Sequence, residues 1–449
     1  MSLYSLMPIL WKNVMKRILP LALMMTVTAC SFNKPPSISQ PQVVADITYL
    51  ASDELKGRGN FTPGITQAAE FISQRFNDIG LKPFSGLDQY QQEFVLYNIT
   101  SQVEKLQLNG QTIAAEQVAI ATSKKQLSWT SPQQANIVLI GADDDFRAQL
   151  SVLNQVGKDA LVLVDPAHKK TFLRYQAYFN RGLNKFNHDQ GGSLVLALTE
   201  INQVNELNLS TTSHVKQQKL ANVVGVLPGK SKEMVLFSAH YDHLGMDESK
   251  EGDKIYNGAD DDASGTAAVI NLAQYYAQQG TPERTLVFVA FTAEEIGGYG
   301  SKYFSTHINP ESIAAMVNIE MIGKPSKFGA GGLWMTGFER SNLAQIMNKS
   351  LAAQQLEIHP DPYPKQRLFY RSDNATLARL GVPAHSFSST QLESDKHYHQ
   401  LSDDLASLDL DSMTKVINAL AVGSQPLVDG VATPTRVDTS KVKSGGLIY

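Results

Sequence analysis

Four short, nearly continuous apolar runs give the second half of the chain a regular rhythm: Ala221 to Leu227, Met234 to Ala239, Thr285 to Phe291 and Ala314 to Ile319. Runs of this length without alternation predict strands buried on both faces. Between the second and third lies Ala263 to Gln279, whose apolar positions Ala267, Ala268, Ile270, Leu272, Ala273 and Tyr276 suit a helix stopped by Gly280. Strand, helix, strand in this order argues for an α/β fold, a mostly parallel mixed sheet flanked by helices. Upstream, Ala68, Ala69, Phe71, Ile72 and Phe76 predict an amphipathic helix ended by Gly80 and Pro83. From about 100 to 215 the texture is β-rich with one or two helices, and Ala135 to Ile140, Ala160 to Val164 and Ser193 to Leu198 read as short buried strands.

The first thirty residues read as an address. Lys16 and Arg17 precede an apolar run from Ile18 to Ala29, shorter than the roughly 20 residues of a membrane-spanning helix. Residues 1–29 are therefore expected to be an export signal, with Met1 or Met15 as its start. The ending Val27-Thr28-Ala29-Cys30 resembles the bacterial lipoprotein box, which implies lipidation of Cys30 and a membrane anchor at the cell envelope. Ser31 in place of Asp favours the outer membrane. Residues 30–42, with Pro35, Pro36 and Pro41, are expected to be a flexible tether.

Cys30 is the only cysteine of 449 residues, which excludes a disulfide framework and a thiolate metal cluster. Any metal must use His, Asp and Glu. The net charge of -4 implies no basic surface for nucleic acid.

Ligand sites in open α/β sheets lie beyond the carboxyl ends of the strands, so the residues that follow each run are informative. They are His240-Tyr241-Asp242, Thr292-Ala293-Glu294-Glu295 and Glu320. Between the first two lies an acidic loop, Asn257 to Gly265, containing Asp260-Asp261-Asp262. Nitrogen and oxygen ligands gathered at strand ends point to a metal site. No local spacing links them, but a sheet edge would.

These residues resemble a family, the bacterial double-zinc aminopeptidases, relatives of the glutamate carboxypeptidases and the single-zinc glutaminyl cyclases. The resemblance rests on Ala239-His240-Tyr241-Asp242, Asn257 through Gly265, Ala293 to Gly297, Asn318 to Gly323 and Tyr398-His399-Gln400-Leu401-Ser402-Asp403. It extends to Leu50 through Gly59, which looks like the family's N-terminal segment. It implies that His240 and Glu320 hold one zinc, Glu295 and His399 another, and Asp261 bridges both. Cobalt or manganese would suit the same donors. It further implies a fourth position for a shared water or hydroxide, and Glu294 as general base. Asp242 is expected to accept the ring N–H of His240. Tyr398 matches a position that hydrogen-bonds the tetrahedral intermediate in some relatives, or simply packs. Two departures stand out: many relatives have Asp where this chain has Glu320, and Asn374 follows Arg371-Ser372-Asp373 where a histidine is common, so Asn374 is given no catalytic role.

The expected organisation is signal (1–29), tether (30–42), N-terminal part of the peptidase domain (43–100), an inserted protease-associated-like domain (101–215), the catalytic domain (216–425) and a tail (426–449), mobile from about Ala432. The expected function is exopeptidase cleavage of peptides from the amino end. Alternatives are a carboxypeptidase or dipeptidase using Arg367 or Arg371, a glutaminyl cyclase, or a non-catalytic surface binding module. Asp260, Asp262 and Glu294 are candidates to hold the substrate amine, and Phe328, Trp334, Tyr363, Phe369 and Tyr370 to line the pocket. His243 is expected at the rim or behind the ligands, and His397 is passed over in favour of His399. His168, His188, His214, His307, His359 and His385 are expected to be structural or exposed, and Asp143-Asp144-Asp145 a solvated turn.

Overall fold

In the computed structural model, which describes residues 37–449, the chain enters through helix α1 (Gln40–Leu50), with a proline in its first turn, where the missing N–H costs no helical bond. The end of the expected tether is therefore helical, and α1 buries Val43, Ile47 and Leu50. The export signal and Cys30 lie outside the described residues. Helix α2 (Pro63–Ile79) follows the expected amphipathic pattern and ends on Gly80 at φ 86°, a left-handed conformation that glycine adopts without strain. Among the described residues no helix is long and apolar enough to cross a membrane.

Two long antiparallel strands, β1 (Gln91–Leu108) and β6 (Leu207–Leu227), run out of the main sheet and frame the middle block. The expected boundaries at 101 and 215 fall inside them. Between them come β2 (Val118–Ala121), β3 (Asn136–Ile140), helix α3 (Phe146–Val156), β4 (Ala160–Val164), helix α4 (Lys169–Asn180) and β5 (Leu194–Leu198). These four strands form a separate sheet in the order β2–β5–β4–β3, with β5–β4 and β4–β3 parallel and β2–β5 antiparallel. One face, with Val162 and Leu196, packs on Phe146, Phe172 and Phe179 of the helices. The other, with Leu161 and Val195, packs on Leu106, Trp129 and Leu209. Burial on both faces explains why these strands read as unbroken apolar runs.

The second half of the chain supplies β7 (Ser231–His240), helix α5 (Gly265–Ala277), β8 (Arg284–Phe291), helix α6 (Tyr299–Ser305), β9 (Ile313–Ile319), β10 (Leu333–Met335), helix α7 (Leu343–Leu351), β11 (Ile358–Pro360), helix α8 (Asn374–Ala378), β12 (Ala384–Ser388) and helix α9 (Leu410–Val428). The main sheet runs β11–β10–β12–β9–β7–β8–β6–β1. Its centre is parallel, β8 with β7, β7 with β9 and β9 with β12, and β6 joins antiparallel. Alternate residues face two cores. Phe237, Phe288 and Val317 meet α1, α2, α5 and α9, whereas Leu236, Val287 and Met316 meet Phe304 of α6 and Leu377 of α8. Because β7, β8 and β9 are parallel, their carboxyl ends open on one edge.

Helix α9 crosses the expected boundary at 425, and the tail beyond it is fixed rather than mobile. Arg284 donates to the carbonyls of Leu427 and Ala432 and to Thr433. Val437 and Ile448 are buried. The Asn154 side chain accepts from the N–H groups of Ile448 and Tyr449, and the Tyr449 ring lies 5.1 Å from that of Phe179. A polar composition hid these few anchors.

Candidate metal centre

His240 is the last residue of β7, and Glu294, Glu295 and Glu320 come just after β8 and β9. Ala293, Met321 and His399 all hold left-handed backbone, at φ 59°, 52° and 56°. Each such non-glycine residue costs about 1 kcal/mol or more, a strain concentrated where side chains must be aimed inward. The loop before α5 buries all three of its acids.

The resulting arrangement is two-sided. Nε2 of His240 lies 3.2 Å from Oδ1 of Asp261 and 3.4 Å from Oε1 of Glu320. Nε2 of His399 lies 3.2 Å from Oδ2 of Asp261 and 3.3 Å from Oε2 of Glu295. The two oxygens of one carboxylate thus face two different imidazoles. His240, Asp261 and Glu320 offer three donor atoms within 4.8 Å of one another, and so do His243, Asp261 and Glu295. Nε2 of His240 and Oε1 of Glu295 are buried without a hydrogen-bond partner. Unpaired buried donors and acceptors are costly, and a cation on each side of Asp261 would satisfy them. The donor set therefore fits divalent metal.

The supporting contacts differ from expectation at Asp242. Nδ1 of His240 bonds the main-chain carbonyl of Asp242 at 3.0 Å, and the carboxylate stands 3.7 Å away. That carboxylate instead accepts from the N–H groups of Glu294 and Glu295 and from the Asn60 amide. It holds the turn that carries both glutamates. Asp262 accepts from the N–H groups of His240, Gly265 and Met321, and Asp403 from those of Asp260 and Asp261. The longer side chain of Glu320 is caught by Ser372, which donates to Oε2 at 2.5 Å and accepts from Asn318.

Beneath the centre sits Arg58, fully buried. Its guanidinium donates to the carbonyls of Leu50, Tyr241, Asn257 and Gly258, joining the end of β7 to the acidic loop. Burial lowers its pKa to about 10 against the pull of Asp261, Asp242 and Asp403. The motif around Arg58 was visible in the sequence, but partners that are main-chain carbonyls, three of the four nearly 200 residues away, leave no pattern. Asn60, Ser372 and Asp403 were missed because their partners, Asp242, Glu320 and the main chain of Asp260 and Asp261, lie far away along the chain.

Crowded carboxylates set the electrostatics. Burial alone would lower His240, yet Glu320, Asp242 and Asp261 raise it well above its ordinary value. His399 is likewise raised, to about 10, by Asp261 and Glu295 against desolvation. Desolvation pushes Glu294 well above the usual carboxylate range, with Glu320 and Asp373 adding to the rise. Asp373 is raised to about 7, chiefly by burial.

A cavity of about 110 Å³ opens over the centre, lined by Glu294, Glu295 and Glu320 on one wall and by Trp334, Leu368, Leu392 and Tyr398 among the others. The Tyr398 ring stacks on His399, and its hydroxyl lies 3.4 Å from a guanidinium nitrogen of Arg371. Of the five expected aromatics only Trp334 lines the cavity; Phe369 is core and Phe328 stacks on His359. Arg371 lines it and Arg367 does not. Asp260 faces the Gly323 N–H, Thr390 and Lys324, so of the proposed amine-binding acids only Glu294 reaches the cavity. His397 bonds Ser402, and Asn374 bonds main-chain carbonyls and Ser386. His243, expected at the rim or behind the ligands, is not at the rim: it is buried, with Nδ1 2.9 Å from Oε1 of Glu295.

Residues 222–422 match the model of Peptidase family M28. Leucine aminopeptidase 1 of Chaetomium globosum is 28% identical over 210 residues, 43% of this chain and 49% of that protein. Leucine aminopeptidase 1 of Neurospora crassa is 28% identical over 206 residues, 43% of this chain and 50% of that protein. The chain thus spans about half the length of the curated relatives it matches. An aminopeptidase from Aneurinibacillus sp. strain AM-1 superimposes with a TM-score of 0.53 at 17% identity, covering 91% of this chain and 97% of that one. BSAP, a zinc aminopeptidase from Bacillus subtilis, gives 0.52 at 17%, covering 91% and 98%. At this identity the likeness is one of fold.

Proposed function

With a Peptidase family M28 region over residues 222–422 as premise, we propose that the protein is a zinc-dependent aminopeptidase. The observation that carries the reading is Asp261, whose two oxygens face separate imidazole and carboxylate pairs across buried, unpaired donor atoms. His240, Asp261 and Glu320 would hold one ion, and Asp261, Glu295 and His399 a second. When bound, zinc would supply Lewis acidity to the scissile carbonyl and make a water molecule acidic near neutral pH.

The chain's own groups do the rest. Glu294, with its raised affinity for a proton, takes one from the attacking water at its carboxylate and gives it to the departing amine. Asp242 fixes the turn that aims it. The carboxylates that line the cavity keep it acidic, which favours a substrate's free amine over its carboxylate. Tyr398, beside Arg371, stands where a phenol could donate to the developing oxyanion. Trp334, Leu368 and Leu392 favour an apolar N-terminal side chain.

The test is zinc content and hydrolysis of a leucine anilide beside an N-acetylated peptide, for the wild type and Glu294→Ala. The expected variant keeps its zinc and loses roughly 100-fold or more in turnover, the scale of a lost general base. Undiminished turnover would remove Glu294 from the mechanism. Cleavage of the blocked peptide would favour a carboxypeptidase reading, with Arg371 as the cationic group. The export signal and lipidation of Cys30 place the enzyme on the cell envelope in this reading, and the middle block is a protease-associated-like insertion; radiolabelled palmitate incorporation lost in Cys30→Ser tests the anchor.

A further inference from the structure

We propose that His243 is a fourth protein ligand of the ion held by Asp261, Glu295 and His399, an inference that rests on the two-metal reading above. The His243 ring is fully buried, and neither of its nitrogens has a hydrogen-bond partner. Nδ1 lies 2.9 Å from Oε1 of Glu295 and 3.9 Å from Oδ2 of Asp261. Oε1 of Glu295 is itself buried and unpaired, so the two atoms are close without being aligned as donor and acceptor. Burial of both in this state is expensive. One cation between them removes both costs.

His399 approaches the same two carboxylates from another direction. Its ring centroid is 5.8 Å from that of His243, and the planes are 68° apart. Two imidazoles therefore flank the Glu295 carboxylate, His243 at Oε1 and His399 at Oε2, and both face Oδ2 of Asp261. The His243 ring cannot swing away. Its main-chain N–H donates to the carbonyl of Arg58, and the ring fills the space over Gly258, where a Cβ would stand 2.4 Å from the His243 Cγ.

The consequence is an unequal pair. A zinc with four protein ligands is closed in the manner of structural sites, whereas one with three keeps a position for water or substrate. The His240, Asp261 and Glu320 side retains the open position, and the His243 side becomes the anchor that holds Asp261 in place.

Zinc titration by chelator competition and zinc X-ray absorption on wild type, His243→Ala and His243→Asn test this. Asn offers a polar atom near the former Nδ1, able to hydrogen-bond Glu295 but a poor zinc ligand. Wild type should bind two zincs with three imidazoles between them. Both variants should keep one tight zinc, bind the second more than 100-fold more weakly, beyond the 10–100-fold typical of an outer-shell partner, and show one imidazole fewer. Two tight zincs and an unchanged imidazole count in His243→Asn would overturn the proposal and leave the two-metal reading intact. A wild type that takes up no zinc would instead overturn that reading.

Discussion

Two loops in this protein carry three consecutive aspartates, and they have opposite fates. Asp143-Asp144-Asp145 follows β3 and leads into α3; Asp260-Asp261-Asp262 leads into α5. The first triplet is exposed throughout and its acids serve local main chain: Asp144 accepts from the Gly141 N–H, and Asp145 caps α3 through the N–H groups of Arg147 and Ala148. The second is buried throughout. Asp260 and Asp262 are spent on main-chain and hydroxyl partners, which leaves Asp261 aimed at two imidazoles. Acids alone therefore do not mark a site. What marks it is burial joined to donor atoms that the protein leaves unpaired.

The sharpest break of this contrast is Asp261→Asn. Loss of the shared carboxylate should abolish stoichiometric binding of both ions and reduce peptide hydrolysis to background, whereas Asp143→Asn should change neither. Metal analysis of the two variants beside wild type checks it.

Arg58 comes next. Replacement by Met leaves the carbonyls of Leu50, Tyr241, Asn257 and Gly258 without their donor inside a cluster of acids. Removal of one partner from a buried charged network costs about 3–5 kcal/mol, so the midpoint of denaturant unfolding should fall steeply. Arg58→Lys keeps the charge but lacks the fork, and should recover part of the stability while still weakening zinc binding. Full zinc affinity in the lysine variant would show that only charge matters there.

Asp373 offers a smaller effect with a defined pH signature. It is 1% exposed and its folded pKa is about 7, against an ordinary 3.8. The folded state therefore keeps a proton that the unfolded chain has lost, and stability of the metal-free protein falls as pH rises from about 4 to 7. Asp373→Asn removes that cost, so it should stabilise metal-free protein at pH 8 by up to roughly 4 kcal/mol. The gain should disappear below pH 4, where both states of the wild type are protonated. Chemical denaturation at the two pH values checks the sign.

The same contrast explains what the sequence made legible. Strands buried on both faces advertise themselves as apolar runs, and parallel order then predicts that residues 240, 295 and 320 share an edge; all of this is present. Which atoms do the holding was not legible. Asp242 works through its carbonyl toward His240 and through its carboxylate toward the glutamate turn, a division no residue type reveals. His243 looked peripheral because burial is a property of the folded loop. The first residues of helix α1, 40–42, were taken for tether because a proline marks a helix start as readily as a linker. The tail was taken as mobile because three anchoring side chains do not shift the composition of a polar stretch.

The control arm of the comparison carries the last and smallest prediction. If the exposed triplet has only a capping duty, Asp145→Ala should cost about 1 kcal/mol, the value of a lost side-chain acceptor at a helix start. The loss should appear as a lower unfolding midpoint, with zinc content and turnover unchanged, because α3 packs on the sheet of the middle block and donates nothing to the metal centre. Asp145→Ser, which keeps an acceptor at the same place, should restore most of the stability. A fall in zinc affinity on Asp145→Ala would instead mean that the middle block and the metal centre are coupled, and the division between a solvated and a buried triplet would no longer hold.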